Sequence, residues 1–236
     1  MKVVAIIPAA GLGTRMSGGH VGSPSKQFFS LKGEPVLSRT VRRFLSIPRI
    51  ASAVIAVRGS EMDNAKAMLR EFGTRLTVVE GGEKRQDTVL NALHAANLDD
   101  DDIVLVHDAV RPLVSAETVE HCIAAVEKHG AAIVGLPAVD TVKIVDRTAD
   151  GAVISSTMPR ERVVMAQTPQ GFRYAILKKA MDEAISDGFI GTDEASVVER
   201  SGQRVAVVMG ARENFKITSP GDLELAEFYM GQQRPQ

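Results

Sequence analysis

One cysteine in 236 residues, Cys122, leaves no possibility of a disulfide within the chain. It shares helical spacing with Val119, Ile123 and Val126, which reads as a buried structural thiol and not as a nucleophile. An excess of either charge is also missing. With 28 Lys and Arg against 29 Asp and Glu, no overall field attracts nucleic acid or an anionic membrane, so any phosphate site has to be local. No apolar run approaches the length of a membrane span, and the amino terminus enters a strand without a signal-peptide pattern. A soluble, cytoplasmic protein is expected, with neither nucleic acid nor membrane as partner. Internal repeats and low-complexity stretches are absent, and 1–236 is the length of one large α/β domain.

Two further absences concern the first loop. Lys2-Val3-Val4-Ala5-Ile6-Ile7 is a continuous apolar run rich in β-branched residues, as expected of a strand buried on both faces of a parallel sheet. It runs into Pro8-Ala9-Ala10-Gly11-Leu12-Gly13-Thr14-Arg15-Met16. The dinucleotide fingerprint requires a third glycine where Met16 stands, and no acidic residue ends a second strand at the required distance. The Gly-Lys-Ser/Thr of a Walker loop is missing too. What is present is a run of small residues, Ala9, Ala10, Gly11 and Gly13, over which backbone N–H groups can approach phosphate oxygens, followed by the cations Arg15 and Lys26. An ordinary strand-to-helix turn would need neither cation.

Downstream, buried-strand runs at 53–57, 76–80, 103–107 and 131–136 alternate with amphipathic helices around 38–46, 63–72, 86–96 and 115–129. This alternation predicts an α/β fold: a Rossmann-like, mostly parallel sheet with helices on both faces and ligands at the carboxyl ends of its strands. The pattern changes over 140–157, where two β-branched segments flank the turn-rich 146–151, predicting a projecting antiparallel hairpin. Its side chains would gain from packing on a second subunit. Strands at 163–167 and 205–209 and helices at 174–186, from 192, and from 219 complete the chain.

Asp108, in His107-Asp108-Ala109-Val110-Arg111-Pro112, falls at a strand's carboxyl end on the same edge as the first loop. It could hold Mg²⁺ or bond a ribose hydroxyl, or simply close its loop by pairing with Arg111. His107 reads as structural. Gly81 and Gly82 would let a flat base lie on backbone, with Glu83 and Thr88 offering hydrogen bonds; a charged helix amino terminus is the plainer alternative.

The first loop resembles that of nucleotidyltransferases which activate sugar and polyol phosphates, although here Ser25 separates Pro24 from Lys26 and 17–23 lengthens the loop. Gly-Gly-x-x-Arg-x-Asp-Thr (81–88), Val106-His107-Asp108-Ala109 with Arg111-Pro112, and Asp140-Thr141-Val142-Lys143 follow it in order. Gln167-Thr168-Pro169-Gln170, Thr192-Asp193-Glu194-Ala195-Ser196 and Asn214-Phe215-Lys216-Ile217-Thr218 complete the series. Together they resemble the family of 2-C-methyl-D-erythritol 4-phosphate cytidylyltransferases, of the non-mevalonate isoprenoid pathway, along nearly the whole chain. The resemblance implies a fold of the nucleotide-diphospho-sugar-transferase type, CTP and a polyol phosphate as substrates, and Mg²⁺ or another divalent cation bound at Asp108. It implies that Arg15, Lys26, Lys216 and Arg160 are catalytic and that Ala9, Ala10, Gly11, Gly13, Gly82, Glu83, Thr88 and Asp108 bind the nucleotide. The acceptor falls to Arg111, Thr141, Arg160, Thr168 and Lys216, with Arg160 and Thr168 reaching in from the neighbouring subunit of a homodimer whose arm is 140–157. Arg162 is the alternative to Arg160, and ribitol 5-phosphate the alternative acceptor. A nucleotide-binding regulatory protein without turnover is the rival from another class.

Overall fold

Fully apolar runs build the middle of the sheet, and alternate residues along them supply two cores. The computed structural model describes residues 1–11 and 25–232. Its strands are β1 (Val3–Pro8), β2 (Ser30–Leu31), β3 (Glu34–Pro35), β4 (Ile50–Val57), β5 (Leu76–Glu80), β6 (Ile103–Val106) and β7 (Ala131–Pro137), then β8 (Val142–Thr148), β9 (Gly151–Met158), β10 (Val164–Arg173) and β11 (Ala206–Met209). Its helices are α1 (Val36–Leu45), α2 (Met62–Leu69), α3 (Arg85–Ala95), α4 (Ala116–His129), α5 (Tyr174–Ser186), α6 (Glu194–Arg200) and α7 (Pro220–Gln232).

Seven strands form one sheet in the order β11-β7-β10-β6-β1-β4-β5, parallel except for β10, which runs antiparallel to β6 and β7. In β1, Val3, Ala5 and Ile7 pack with α1, α2 and α4 on one face, while Val4 and Ile6 pack with α3, α5 and α6 on the other. Period-2 alternation inside an all-apolar strand is what two covered faces demand. Cys122 is buried in the first of these cores, and burial pushes its thiol up to about 12, so it is no nucleophile. Among the described residues no helix is long and apolar enough to cross a membrane.

The structure corrects two expectations and adds one element. The strand expected at 163–167 continues to Arg173 as β10, with a register break between Ala166 and Gln170 that holds Thr168-Pro169. The polar Gln167, Thr168 and Gln170 along it are buried because distant groups satisfy them. The hairpin is present as a separate two-stranded sheet, but its strands pair to the last residue, Thr148 with Gly151, instead of opening into a six-residue tip. Every residue from 143 to 158 is exposed, so polar side chains cost nothing there and composition does not mark the turn. The β2–β3 hairpin was not foreseen; it turns on Lys32 and Gly33, both at positive φ.

Candidate active site

The carboxyl ends of β1, β5 and β6 open into one cleft, lined by Ala9, Ala10 and Gly11 after β1, by Gly82, Glu83 and Thr88 after β5, by Asp108 after β6, and by Lys26 and Lys216. The first loop is anchored through its carbonyls. Ala9 donates its N–H to the Ala56 carbonyl at 2.7 Å, and its own carbonyl accepts from Gln27. The Ala10 carbonyl accepts from Arg58 Nε at 2.9 Å. Lys26 begins a 3-10 turn that the buried Gln27 ties back to this loop. Gly13 and Arg15 lie outside the described residues.

The Gly82 loop is tight for a stated reason. A Cβ on Gly82 would lie 2.3 Å from the Asp87 Cβ, and one on Gly81 would lie 2.7 Å from the Ala10 Cβ. The Thr88 hydroxyl accepts from Gly82 N at 3.1 Å and donates to the Lys84 carbonyl at 3.0 Å. It therefore shapes the loop that faces the cleft.

Asp108 is the electrostatic centre. Its buried carboxylate has Lys216 Nζ at 3.0 Å and Arg111 Nε at 3.1 Å on Oδ2, and Arg85 Nη2 at 3.6 Å from Oδ1. Burial alone would raise its pKa, but Lys216, Arg85 and Arg111 outweigh it and hold the carboxyl well below the usual range. Asp108 therefore does pair with Arg111, and it also faces the cleft.

The loop carrying Asp108 is fixed by a directed chain. Asp108 N–H donates to Thr168 Oγ1 at 3.1 Å, the Thr168 hydroxyl lies 3.0 Å from His107 Nδ1, and His107 Nε2 lies 3.1 Å from the Arg111 carbonyl. A carbonyl accepts only, so Nε2 carries the proton and Nδ1 accepts from the threonine. Full burial lowers the His107 pKa to about 4, in keeping with this neutral tautomer; the ring is structural, as expected, and not a base. Asn214 donates to the Thr168 carbonyl at 2.8 Å, Arg111 Nη1 donates to the Asn214 carbonyl at 2.7 Å, and Ile217 N–H bonds Val110 O at 2.9 Å. These bonds stitch 214–217 to β10 and to the β6 loop and bring Lys216 to Asp108.

Thr168 is buried, with its hydroxyl engaged by His107 and the Asp108 N–H of the same chain. Thr141 and Arg160 are not in the cleft; both are exposed near the foot of the hairpin, and Arg160 Nη1 donates to the Val139 carbonyl at 3.1 Å. Two site residues were missed. Arg85 lines the cleft, bonds the buried Glu194 and approaches Asp108; each stands inside a motif that gave it no role.

A sheet whose parallel strand ends carry a small-residue loop, a glycine loop and a carboxylate ringed by cations defines a nucleotide-binding α/β protein suited to phosphoryl-group chemistry. Comparison narrows this. A family model described as 2-C-methyl-D-erythritol 4-phosphate cytidylyltransferase matches residues 3–232. The protein of that description from Acidobacterium capsulatum is 54% identical over 235 residues, covering 98% of each chain. Its counterpart from Solibacter usitatus is 48% identical, covering 98% of this chain and 96% of the relative. The crystal structure of the Francisella tularensis 2-C-methyl-D-erythritol 4-phosphate cytidylyltransferase superposes with a TM-score of 0.82 at 32% identity, covering 97% of this chain and 99% of that one. The corresponding Thermus thermophilus structure gives 0.77 at 34% identity over 97% and 98%. The chain belongs to the 2-C-methyl-D-erythritol 4-phosphate cytidylyltransferase family.

Proposed function

We propose that the protein transfers the cytidylyl group of CTP to 2-C-methyl-D-erythritol 4-phosphate, giving 4-diphosphocytidyl-2-C-methyl-D-erythritol and pyrophosphate in isoprenoid precursor synthesis. The observation that carries the reading is the cluster at Asp108, where Lys216 and Arg85 line the same cleft as the Gly82 loop and Ala9–Ala10 and Arg111 pairs with the same carboxylate. A phosphate oxygen of the acceptor attacks the α-phosphorus of CTP in line, and the pyrophosphate oxygen leaves. The acceptor phosphate is already ionised, so no general base is required. Catalysis then consists of orientation and of cations placed where negative charge builds up. Lys26 and Lys216 line the cleft, and Arg15 belongs to the same set by its place in the loop. The base lies on the Gly82 loop beside Glu83.

The reading includes Mg²⁺ or another divalent cation. Asp108 supplies one carboxylate, and Mg²⁺ characteristically takes one or two carboxylates and completes its octahedron with phosphate oxygens and water, so the donor set fits. Bound there, the ion would neutralise phosphate charge. A reducing, cytoplasmic setting accords with the single buried free thiol.

The test is pyrophosphate release from CTP and Mg²⁺ with 2-C-methyl-D-erythritol 4-phosphate, beside ribitol 5-phosphate and a no-acceptor control. Preference for the erythritol compound is expected. Preference for ribitol phosphate would keep the chemistry and change the acceptor; tight CTP binding with no product from either would leave a nucleotide-binding regulator.

The partner in this reading is a second copy of the chain. Ile144, Val145, Val153 and Ile154 are exposed on the hairpin, and Thr141 and Arg160 at its foot lie outside their own cleft. Their role in acceptor binding therefore calls for another subunit's site. Co-expressed Arg160→Ala and Lys216→Ala chains test this, since a mixed dimer contains one site with both groups intact. Each variant alone should be nearly inactive, and a statistical mixture should recover about a quarter of wild-type activity. No recovery with mixed dimers demonstrably present would put Arg160 in its own subunit's site or in none, and a monomeric wild type would remove the partner.

A further inference from the structure

The amino end of α6 is held from two sides. Gln170 on β10 donates to Asp193 Oδ2 at 2.7 Å and accepts from Ala195 N at 3.0 Å. Gln86 on α3 donates to the Phe189 carbonyl at 3.2 Å and accepts from Gly191 N at 3.0 Å. Asp193 caps the helix by accepting from Ser196 N at 2.9 Å. These bonds leave Glu194, the first helical residue, with little freedom. Its side chain is 2% exposed; Oε1 meets Arg85 Nη1 and Oε2 has no hydrogen-bond partner among the described residues.

A buried carboxylate with one oxygen unpaired is costly, and a stable core alone would favour an apolar side chain in its place. The arrangement makes sense through Arg85. The planar guanidinium presents Nη1 to Glu194 and Nη2 to Asp108 Oδ1 at 3.6 Å, so the inner carboxylate fixes the direction in which the fork faces the outer one. It also supplies the anion that compensates Arg85. Asp108 then meets a neutralised guanidinium on its Oδ1 side, while Lys216 and Arg111 occupy its Oδ2 side. With Glu194 uncharged, Arg85 would keep Asp108 as its only carboxylate partner among the described residues that pair with it, free to close on it or on a phosphate at the wrong place.

We propose that Glu194 is a positioning residue for the transfer reaction: acting through Arg85, it sets the orientation of the Asp108 carboxylate and the share of cationic charge the carboxylate faces. The proposal rests on Asp108 lying beside the nucleotide, as the reading above has it.

The experiment is a double-mutant cycle on full-length protein with Glu194→Gln, Arg85→Gln and the two combined. It measures kcat and KM for CTP, the half-saturating Mg²⁺ concentration, and CTP–Mg²⁺ affinity by calorimetry. Glu194→Gln should lower kcat/KM about 10- to 100-fold and raise the half-saturating Mg²⁺ concentration, the range usual for losing a group that orients an active-site carboxylate. The combined variant should be no slower than Arg85→Gln alone, because Glu194 acts only through that side chain. Glu194→Asp should restore part of the loss. If Glu194→Gln unfolds, the combined variant, which leaves no unpaired buried charge, supplies the comparison with Arg85→Gln. Independent, additive losses, or wild-type kinetics and Mg²⁺ dependence in Glu194→Gln, would overturn the proposal. A wild-type protein without turnover would instead overturn the functional reading on which it stands.

Discussion

Asp108→Asn is expected to lower turnover at least a hundredfold and to cost the protein about 3 kcal/mol of stability at pH 7, the low end for breaking a buried ion pair. The stability term sits at the low end because Lys216 and Arg85 keep roughly a third of their side chains in water, where charge is screened. Arg111, 12% exposed, is left in the worst position by the substitution. The pH dependence has a definite sign. The carboxyl's folded pKa lies below its unfolded value, so its contribution is complete above the ordinary aspartate range near pH 4 and fades as pH falls through the lower folded value. Urea unfolding of wild type and variant should therefore differ by a constant amount from pH 8 to about 5, with the gap narrowing steadily as pH falls from about 4 toward the lower folded value. A gap that stayed constant at acid pH would mean the carboxylate's charge is not what the cluster uses. Full stability with lost turnover would place Asp108 wholly in the chemistry.

The parts of the molecule that could be read from sequence are those fixed by local pattern. β1, β4 and β6 are apolar runs, and any such run followed by an amphipathic helix builds a parallel sheet whose strand ends form the ligand edge. The first loop and Asp108 follow from that rule, the Gly82 loop follows β5, and all three converge on one cleft. What stayed hidden depends on partners far along the chain. β10 reads as ending at Gln167 because Thr168-Pro169 and Gln170 look like a loop; they are strand because His107, Asp193 and Asn214 satisfy their polar groups. The Arg85–Glu194 pair spans 109 positions, so no spacing could disclose it. The link between Thr168 and Asp108 stays hidden for a related reason. It exists only because β10 enters the sheet beside β6 in the reverse direction.

Lys216→Ala separates the catalytic demand on the cluster from the structural one. The loss expected is ~10²- to 10³-fold in kcat, or ~3 to 4 kcal/mol of barrier, as for other single charged donors at a developing anion. Stability should change little. Arg111 and Arg85 still flank Asp108, and the segment carrying Lys216 is held by the Asn214 and Ile217 bonds and not by the lysine. KM for CTP should move less than kcat, because a cation that strengthens its contact as charge develops contributes mainly to the transition state. Lys216→Arg is a sharper probe. It keeps the charge but replaces a compact ammonium with a planar fork, in a place where Arg85 and Arg111 already crowd the same carboxylate. Recovery of less than a tenth of the lost rate by arginine would show that placement of a point charge matters. Equal activity of Lys216→Arg and wild type would show that any cation suffices there. Unaltered kcat in Lys216→Ala, with CTP binding intact, would remove Lys216 from the transition state and leave it as the counter-ion of Asp108 alone.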